Sequence, residues 1–183
     1  MKKQNTDKKS MRTLIIVAVC FFLGISLAIF YKNKASRDLD PKLPAVAELT
    51  LVSDRKSVSV GDEFTVTLTL DSKETEVAAA DVVVNFDKNS LKVISVTGGN
   101  YFSYYPINTT QNDFVKISGV ASFDGTNLIL PKGRDTVGQI KFLAVKPDNK
   151  ALIKFNKSKT IIATNGQDIY NRKQIAELYI NVQ

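Results

Sequence analysis

The sequence predicts an all-β domain, a sandwich or barrel of about nine short strands, preceded by one N-terminal transmembrane helix. Three observations carry this prediction. Residues 13–30 form an uncharged apolar run, residues 63–70 alternate between polar and apolar side chains, and turn signals separate short apolar segments along the rest of the chain. After residue 46 the sequence shows no helical period of useful length.

The apolar run Thr13–Phe30 is long enough for a membrane helix, which needs about 17–25 residues. A signal-peptide core has only about 7–15 residues and is followed by a small-x-small cleavage site, which is absent here. We therefore expect an uncleaved transmembrane helix over residues 13–31. The alternatives are a cleaved signal and a lipid-modified Cys20, and the bulky Val19 before that cysteine disfavours lipidation.

Charges flanking the apolar run predict its orientation. Five basic residues precede the run and three follow it closely. The positive-inside rule then places residues 1–12 in the cytoplasm and the C-terminal domain outside it, as in a single-pass protein of the cell membrane. Residues 32–46 are polar and contain Pro41 and Pro44, which predicts a linker before a domain of residues 47–183.

The charge balance argues against nucleic acid as a partner. Of the 25 basic and 18 acidic residues in the chain, residues 1–37 hold eight and one, which leaves 17 of each for residues 38–183. The domain is therefore neutral, without the basic excess of a nucleic-acid-binding protein. The chain also has no His, so the commonest general base and the commonest zinc ligand are missing.

The strands are predicted from alternation and from the turns between them. Residues 63–70 read EFTVTLTL, which is typical of a half-buried strand. The other predicted strands are Glu48–Ser53, Val77–Phe86, Leu91–Val96, Phe114–Phe123, Val137–Val145, Ala151–Asn156, Thr160–Ala163 and Ile175–Val182. Asp124-Gly125 and Asn165-Gly166 are among the predicted turns.

Several motifs in residues 47–183 resemble, in their order and spacing, those of the cohesin family. Phe86-Asp87 matches an aromatic-Asp turn, and it is followed by Leu91 and a strand that ends in Val96-Thr97-Gly98. Residues 59–64, SVGDEF, resemble the Gly-led second strand of the family. Residues 136–145, TVGQIKFLAV, resemble its late Gly-then-Ile-x-Phe-x-Ala strand.

This resemblance implies a nine-stranded jelly-roll β-sandwich that recognises a dockerin module on another protein. Carbohydrate-binding modules of cellulosomal proteins share the sandwich architecture. In cohesins, the outward face of the strand that corresponds to residues 77–86 is part of the dockerin-binding surface.

The strand at residues 77–86 has two predicted faces. Ala78, Ala80, Val82, Val84 and Phe86 should point into the core. The predicted partner-binding residues on the outward face are Ala79, Asp81, Val83 and Asn85. Asp81 matches the family's outward Asp, whereas Ala79 stands where the family has Asn and removes one polar contact. The alternative interpretation of Asp81 is an ordinary solvated carboxylate.

The segment GNYFSYYP, residues 99–106, contains the four aromatics Tyr101, Phe102, Tyr104 and Tyr105. Aromatic side chains stack on sugars or anchor interfaces, so the segment is a candidate ligand loop. The alternative is that these rings cover an open end of the core. Both interpretations are open at the level of sequence.

No motif predicts catalysis, a cofactor or a metal. The chain has no G-x-S-x-G, no phosphate-binding loop and no carboxylate pair singled out by spacing. The turn around Asp124 lacks the alternating oxygen ligands of a calcium loop.

The first hypothesis is therefore a non-enzymatic, membrane-anchored binding module for a dockerin-like partner on polysaccharide-related proteins. The alternatives are a carbohydrate-binding module for polysaccharide, which the absence of Trp disfavours, and an adhesion or spacer domain.

Overall fold

The computed structural model describes Ser26, residues 42–174 and residues 176–183. The predicted cytoplasmic tail, and most of the predicted membrane segment and linker, lie outside these residues. No helix within the described residues has both the length and the apolar character needed to span a membrane. The chain divides into two compact units, Met1–Lys42 and Leu43–Gln183, and the second unit contains the β domain.

The β domain contains fourteen strands in its described part. In chain order they are β1 (Glu48–Ser53), β2 (Ser57–Val58), β3 (Glu63–Asp71), β4 (Ala79–Phe86), β5 (Leu91–Gly98), β6 (Tyr104–Thr110), β7 (Phe114–Val120), β8 (Ser122–Asp124), β9 (Asn127–Ile129), β10 (Arg134–Ala144), β11 (Asp148–Phe155), β12 (Ile161–Thr164), β13 (Gln167–Asp168) and β14 (Glu177–Val182).

Two sheets enclose the core. The smaller sheet has the order β1-β3-β10-β5, and all three of its pairings are antiparallel. The larger sheet is centred on β4, which pairs with β7 on one side and with β11 and β12 on the other. β6 extends this sheet beyond β7, β14 and β2 extend it beyond β11, and β13 pairs with β12. β8 and β9 form a separate hairpin.

One edge of β4 is shared by two successive strands. β11 pairs with residues 84–86 of β4, and β12 pairs with residues 79–81. The turn between β11 and β12 fills the gap, because Asn156 N donates to Val83 O at 2.8 Å and Val83 N donates to Thr160 Oγ1 at 3.1 Å. Thr160 is fully buried in this arrangement.

The core is the apolar space between the two sheets. In β3, the residues Phe64, Val66, Leu68 and Leu70 are buried and alternate with less buried polar residues, as their period predicts. Such a pattern places one side of the strand in the core and leaves the other in contact with water. The alternation expected from residues 63–70 is therefore confirmed.

The nine predicted strands are all present, with end points shifted by a few residues. The sequence-based count of nine is too low, because it does not include β2, β6, β8, β9 and β13. The predicted strand 114–123 ends at Val120, and its last residues belong to the β8–β9 hairpin. Turns at Gly125 (φ 60°) and at Asn165-Gly166 (φ 47° and 72°) are confirmed by their left-handed backbone.

Candidate functional site

The candidate site is the solvent-facing side of the larger sheet around β4, here called the outer face. Ala80, Val82, Val84 and Phe86 point into the core, as predicted. The alternate residues of β4 lie on the outer face, and these are Ala79, Asp81, Val83 and Asn85. The structure thus brings the four predicted binding residues onto one face.

Asp81 is held in place by two side chains of β7. Lys116 Nζ lies 2.7 Å from Asp81 Oδ2, and Ser118 Oγ donates to Asp81 Oδ1 at 2.6 Å. This follows from the strand register, which places Ser118 directly opposite Asp81 and Lys116 opposite Val83. Side chains that are directly or diagonally opposite across two strands are close enough to interact.

The environment of Asp81 lowers its pKa. Partial burial on its own raises the pKa of the carboxyl. The hydrogen bonds from Lys116 and Ser118, together with the Lys116 charge, lower the pKa by more than burial raises it. The carboxylate therefore stays ionised at neutral pH. About 39% of the Asp81 side chain is exposed, so a partner can reach it.

The prediction that Val83 is an accessible contact residue is wrong. It lies on the outer face in phase with Asp81, yet it is buried. The turn between β11 and β12 lies against β4 here, and Lys159 extends across β4 until its Nζ lies 4.9 Å from the Phe114 ring centroid on β7. Val83 is therefore buried by long-range packing, which a strand period cannot predict.

Asn85 lies beside a groove at the end of β4. The groove has a volume of about 480 Å³, and its wall includes Asn85, Lys154, Lys157, Ser158 and Glu177. The Oδ1 atom of Asn85 is buried and has no hydrogen-bond donor among the described residues. Buried acceptors normally have a donor, and a group that enters the groove can supply one.

Exposed apolar side chains flank the polar centre of the outer face. Tyr104 and Ile107 lie on β6, next to β7, and Ile161 and Tyr179 lie on β12 and β14. Their register partners place all four on the outer face. For example, Ile107 is opposite Ser118, and Ile161 is opposite Asp81. Exposed apolar side chains on one sheet face are a feature of protein-binding surfaces.

The aromatic segment contributes to the core more than to the surface. Tyr101 and Phe102 are buried, and Tyr101 OH donates to Ser72 Oγ at 2.7 Å. Phe102 packs against Gly119 of β7, and Tyr105 packs against the core and accepts a hydrogen bond from Phe102 N. Tyr104 is the exposed member of the four. This placement supports the core-covering interpretation of the sequence.

The outer face presents hydrogen-bonding groups and apolar side chains next to each other. Among the described residues, no group of three or more His, Cys, Asp or Glu side chains is placed to hold a metal ion. Sequence reasoning missed Lys116 and Ser118, the two partners of Asp81. Their outward phase in the alternating segment FVKISGV was a signal, but their proximity to Asp81 depends on the pairing of β7 with β4.

Comparisons with known proteins agree with this fold. A family model for the cohesin domain matches residues 49–178. One similar solved structure is the third ScaC cohesin of Acetivibrio cellulolyticus in complex with the ScaB dockerin. It is 16% identical with a TM-score of 0.55, and the match covers 73% of this chain and 99% of that one.

Two further similar structures come from other organisms. The cohesin module of a family 33 glycoside hydrolase from Clostridium perfringens is 14% identical, with a TM-score of 0.56 and coverage of 76% and 99%. A non-cellulosomal cohesin from Archaeoglobus fulgidus is 13% identical, with a TM-score of 0.55 and coverage of 74% and 91%. No curated protein matches the chain. At such identities the structural likeness concerns the fold.

Proposed function

This chain belongs to the cohesin family, and we propose that its β domain is a non-catalytic module that binds a dockerin-like partner through the outer face. The family membership supports the class of partner. A solved relative was captured in complex with a dockerin, and that interaction is a property of the relative. Because a fold alone does not define function, the proposal for this chain depends on its own surface.

The observation that carries the proposal is the ordered Asp81 carboxylate among exposed apolar side chains. Lys116 and Ser118 hold the carboxylate in one orientation, which reduces the entropy lost on binding. An ionised carboxylate has about four acceptor positions, and the two bonds within the domain leave others free. A hydroxyl or N–H group of the partner can therefore donate to Asp81.

We also propose that the domain acts outside the cytoplasm, tethered to the cell membrane by residues 13–31. The support is the uncharged apolar run and the basic residues that precede it. Such a tether would keep the binding module at the cell surface, where it would capture a dockerin-bearing protein that acts on polysaccharide.

The experiment measures binding of calcium-loaded dockerin modules to the full chain in detergent micelles by calorimetry. Asp81→Ala should weaken binding by about 1–3 kcal/mol, because it leaves a buried donor of the partner without its acceptor. Glu63→Ala is the matched control, since Glu63 forms a similar ion pair with Lys141 between two strands of the smaller sheet. The control should bind dockerin as the wild type does.

The aromatic residues separate this proposal from carbohydrate binding. Tyr105→Ala should leave dockerin binding nearly intact, because the Tyr105 ring packs against the core and not on the outer face. If Tyr104→Ala and Tyr105→Ala both abolish binding while Asp81→Ala has no effect, the aromatic segment is the site and polysaccharide is the better ligand class. If the wild type binds neither a dockerin nor a polysaccharide panel, the domain is an adhesion or spacer module and the proposal is wrong.

A further inference from the structure

The lysine cluster at the groove next to Asn85 consists of Lys154, at the end of β11, and Lys157, in the turn that follows. No carboxylate within the described residues forms an ion pair with either of them. Lys154 is opposite Glu177 in the strand register, and Glu177 accepts a hydrogen bond from Tyr179 OH at 2.9 Å.

The backbone that carries this lysine cluster is firmly held. Arg172 Nε donates to Lys157 O at 2.9 Å, and Arg172 Nη2 donates to Thr160 O at 3.1 Å. Lys159 N donates to Asn156 Oδ1 at 3.1 Å. The positive charges therefore project from a fixed turn, and little backbone entropy is lost when a partner binds them.

The groove wall carries a small positive excess in a neutral domain. Residues 38–183 hold 17 basic and 17 acidic residues, whereas the charged residues of the wall are Lys154, Lys157 and the single carboxylate of Glu177. At the centre of the same face, by contrast, Lys116 is neutralised by Asp81. The groove therefore presents unpaired positive charge, which favours a ligand of opposite charge.

We propose that the partner of this domain is a dockerin-like protein module whose docking surface carries carboxylates, an inference that rests on the proposed function. These carboxylates bind at the groove, opposite Lys154 and Lys157, while the centre of the docking surface lies over Asp81. The lysine cluster then decides which dockerin is accepted, because a basic docking surface is repelled and an acidic one is attracted.

The surroundings of the cluster favour an acidic protein over an acidic polysaccharide. Ile161 on β12 and Tyr179 on β14 are both exposed on the same face. Aliphatic groups such as Ile161 gain from burial under a protein surface, whereas a hydrated polyanionic sugar chain makes little use of them. An apolar area with charges at its border is typical of protein–protein recognition.

The experiment uses the full chain in detergent micelles and a panel of calcium-loaded dockerins with acidic, neutral and basic docking surfaces. The test variant is Lys154→Glu with Lys157→Glu. The matched control is Lys92→Glu with Lys146→Glu, because both residues are exposed, neither forms an ion pair in the described part, and the charge change is the same. Circular dichroism verifies that both variants are folded.

We expect the wild type to prefer acidic dockerins and to lose affinity as salt is added. The test variant should bind them at least about tenfold more weakly, and the control should stay within about twofold of the wild type. If dockerins bind the test variant and the control equally well, this inference is wrong and the proposed function stands. If no dockerin binds the wild type, both fail.

A second titration tests whether an anionic polysaccharide, rather than an acidic protein, is the ligand of the lysine cluster. Polygalacturonate is titrated into the same three proteins. If it binds the wild type and loses affinity only in the test variant, while the dockerins do not distinguish the variants, the lysine cluster serves an anionic polysaccharide and the acidic-protein proposal is overturned. If polygalacturonate shows no dependence on the cluster while acidic dockerins do, the proposal is supported.

Discussion

The rings of Phe86 and Phe142 meet edge to face with their centroids 5.4 Å apart, and this contact joins the two sheets of the sandwich. Phe142 is also stacked on Phe64 at 5.5 Å. We expect Phe86→Ala and Phe142→Ala each to lower the free energy of unfolding by about 3–5 kcal/mol, because a buried ring is removed and a cavity remains. Denaturant unfolding measures the change.

Phe123 provides the control for these core substitutions. It lies on the β8–β9 hairpin with 68% of its surface exposed. Phe123→Ala should therefore change the free energy of unfolding by no more than about 0.5 kcal/mol. A near-neutral result for Phe86→Ala would contradict its inward orientation and hence the register of β4, since a slip of one residue exchanges the two faces.

Gly119 of β7 is needed for the close approach of Phe102. A Cβ atom built on Gly119 would overlap the Phe102 ring. Gly119→Ala should therefore lower the free energy of unfolding by about 1–3 kcal/mol, the range for overpacking a core. The loss should be measured by thermal or denaturant unfolding.

A double-mutant cycle tests the cause of this loss. If the overlap with Phe102 is responsible, Gly119→Ala should be less damaging in a Phe102→Ala background, because the shortened side chain leaves room for the new methyl group. Additive losses would contradict the predicted clash. They would instead point to a general intolerance of β7 to substitution.

Asp81 should make stability depend on pH in the acid range. Partial burial raises its pKa, but the hydrogen bonds from Lys116 and Ser118 and the Lys116 charge lower it by more. Stabilisation from a lowered carboxyl pKa is fully present above the unfolded pKa of about 4, and it is lost as pH falls through the folded pKa. The difference in unfolding free energy between the wild type and Asp81→Asn should thus be constant from neutral pH to about pH 5 and shrink below about pH 4.

Lys116 supplies the control for this pH dependence. In a Lys116→Met background, the cation that lowers the Asp81 pKa is absent. The effect of Asp81→Asn on the free energy of unfolding is measured again in that background, and its decline with falling pH should be smaller and should end at higher pH, because the folded pKa then lies closer to the unfolded one. An unchanged profile would show that the ion pair does not set the pKa of Asp81.

The predicted membrane anchor has a topological test. A reporter fused after Gln183 should be active only outside the cytoplasm, and the mature protein should retain residues 1–30, because the apolar run is too long for a cleaved signal core. Protease accessibility and N-terminal sequencing check the two parts. A processed N-terminus near Lys32 in a protein released to the medium would contradict the anchor.

Nine of the strands and the inward faces of β3 and β4 follow from the amino-acid pattern alone. Phe64, Val66, Leu68 and Leu70 alternate with polar residues, and that period is a local property which the fold preserves. The turns at Gly125 and Asn165-Gly166 were likewise predictable, because left-handed backbone favours Gly and Asn. The short strands β2 and β13, with two residues each, carry too little pattern to be predicted.

The neighbours that meet at the candidate site, in contrast, depend on tertiary pairing. Ser118 lies 37 residues from Asp81 along the chain, and the two come together because β7 pairs with β4. The same holds for Val83, which is outward in phase but buried where the turn after β11 packs against β4. The alternation of polar and apolar residues along a strand specifies the face on which a side chain lies. Its neighbours on that face depend on strand pairing, which is a long-range property of the fold.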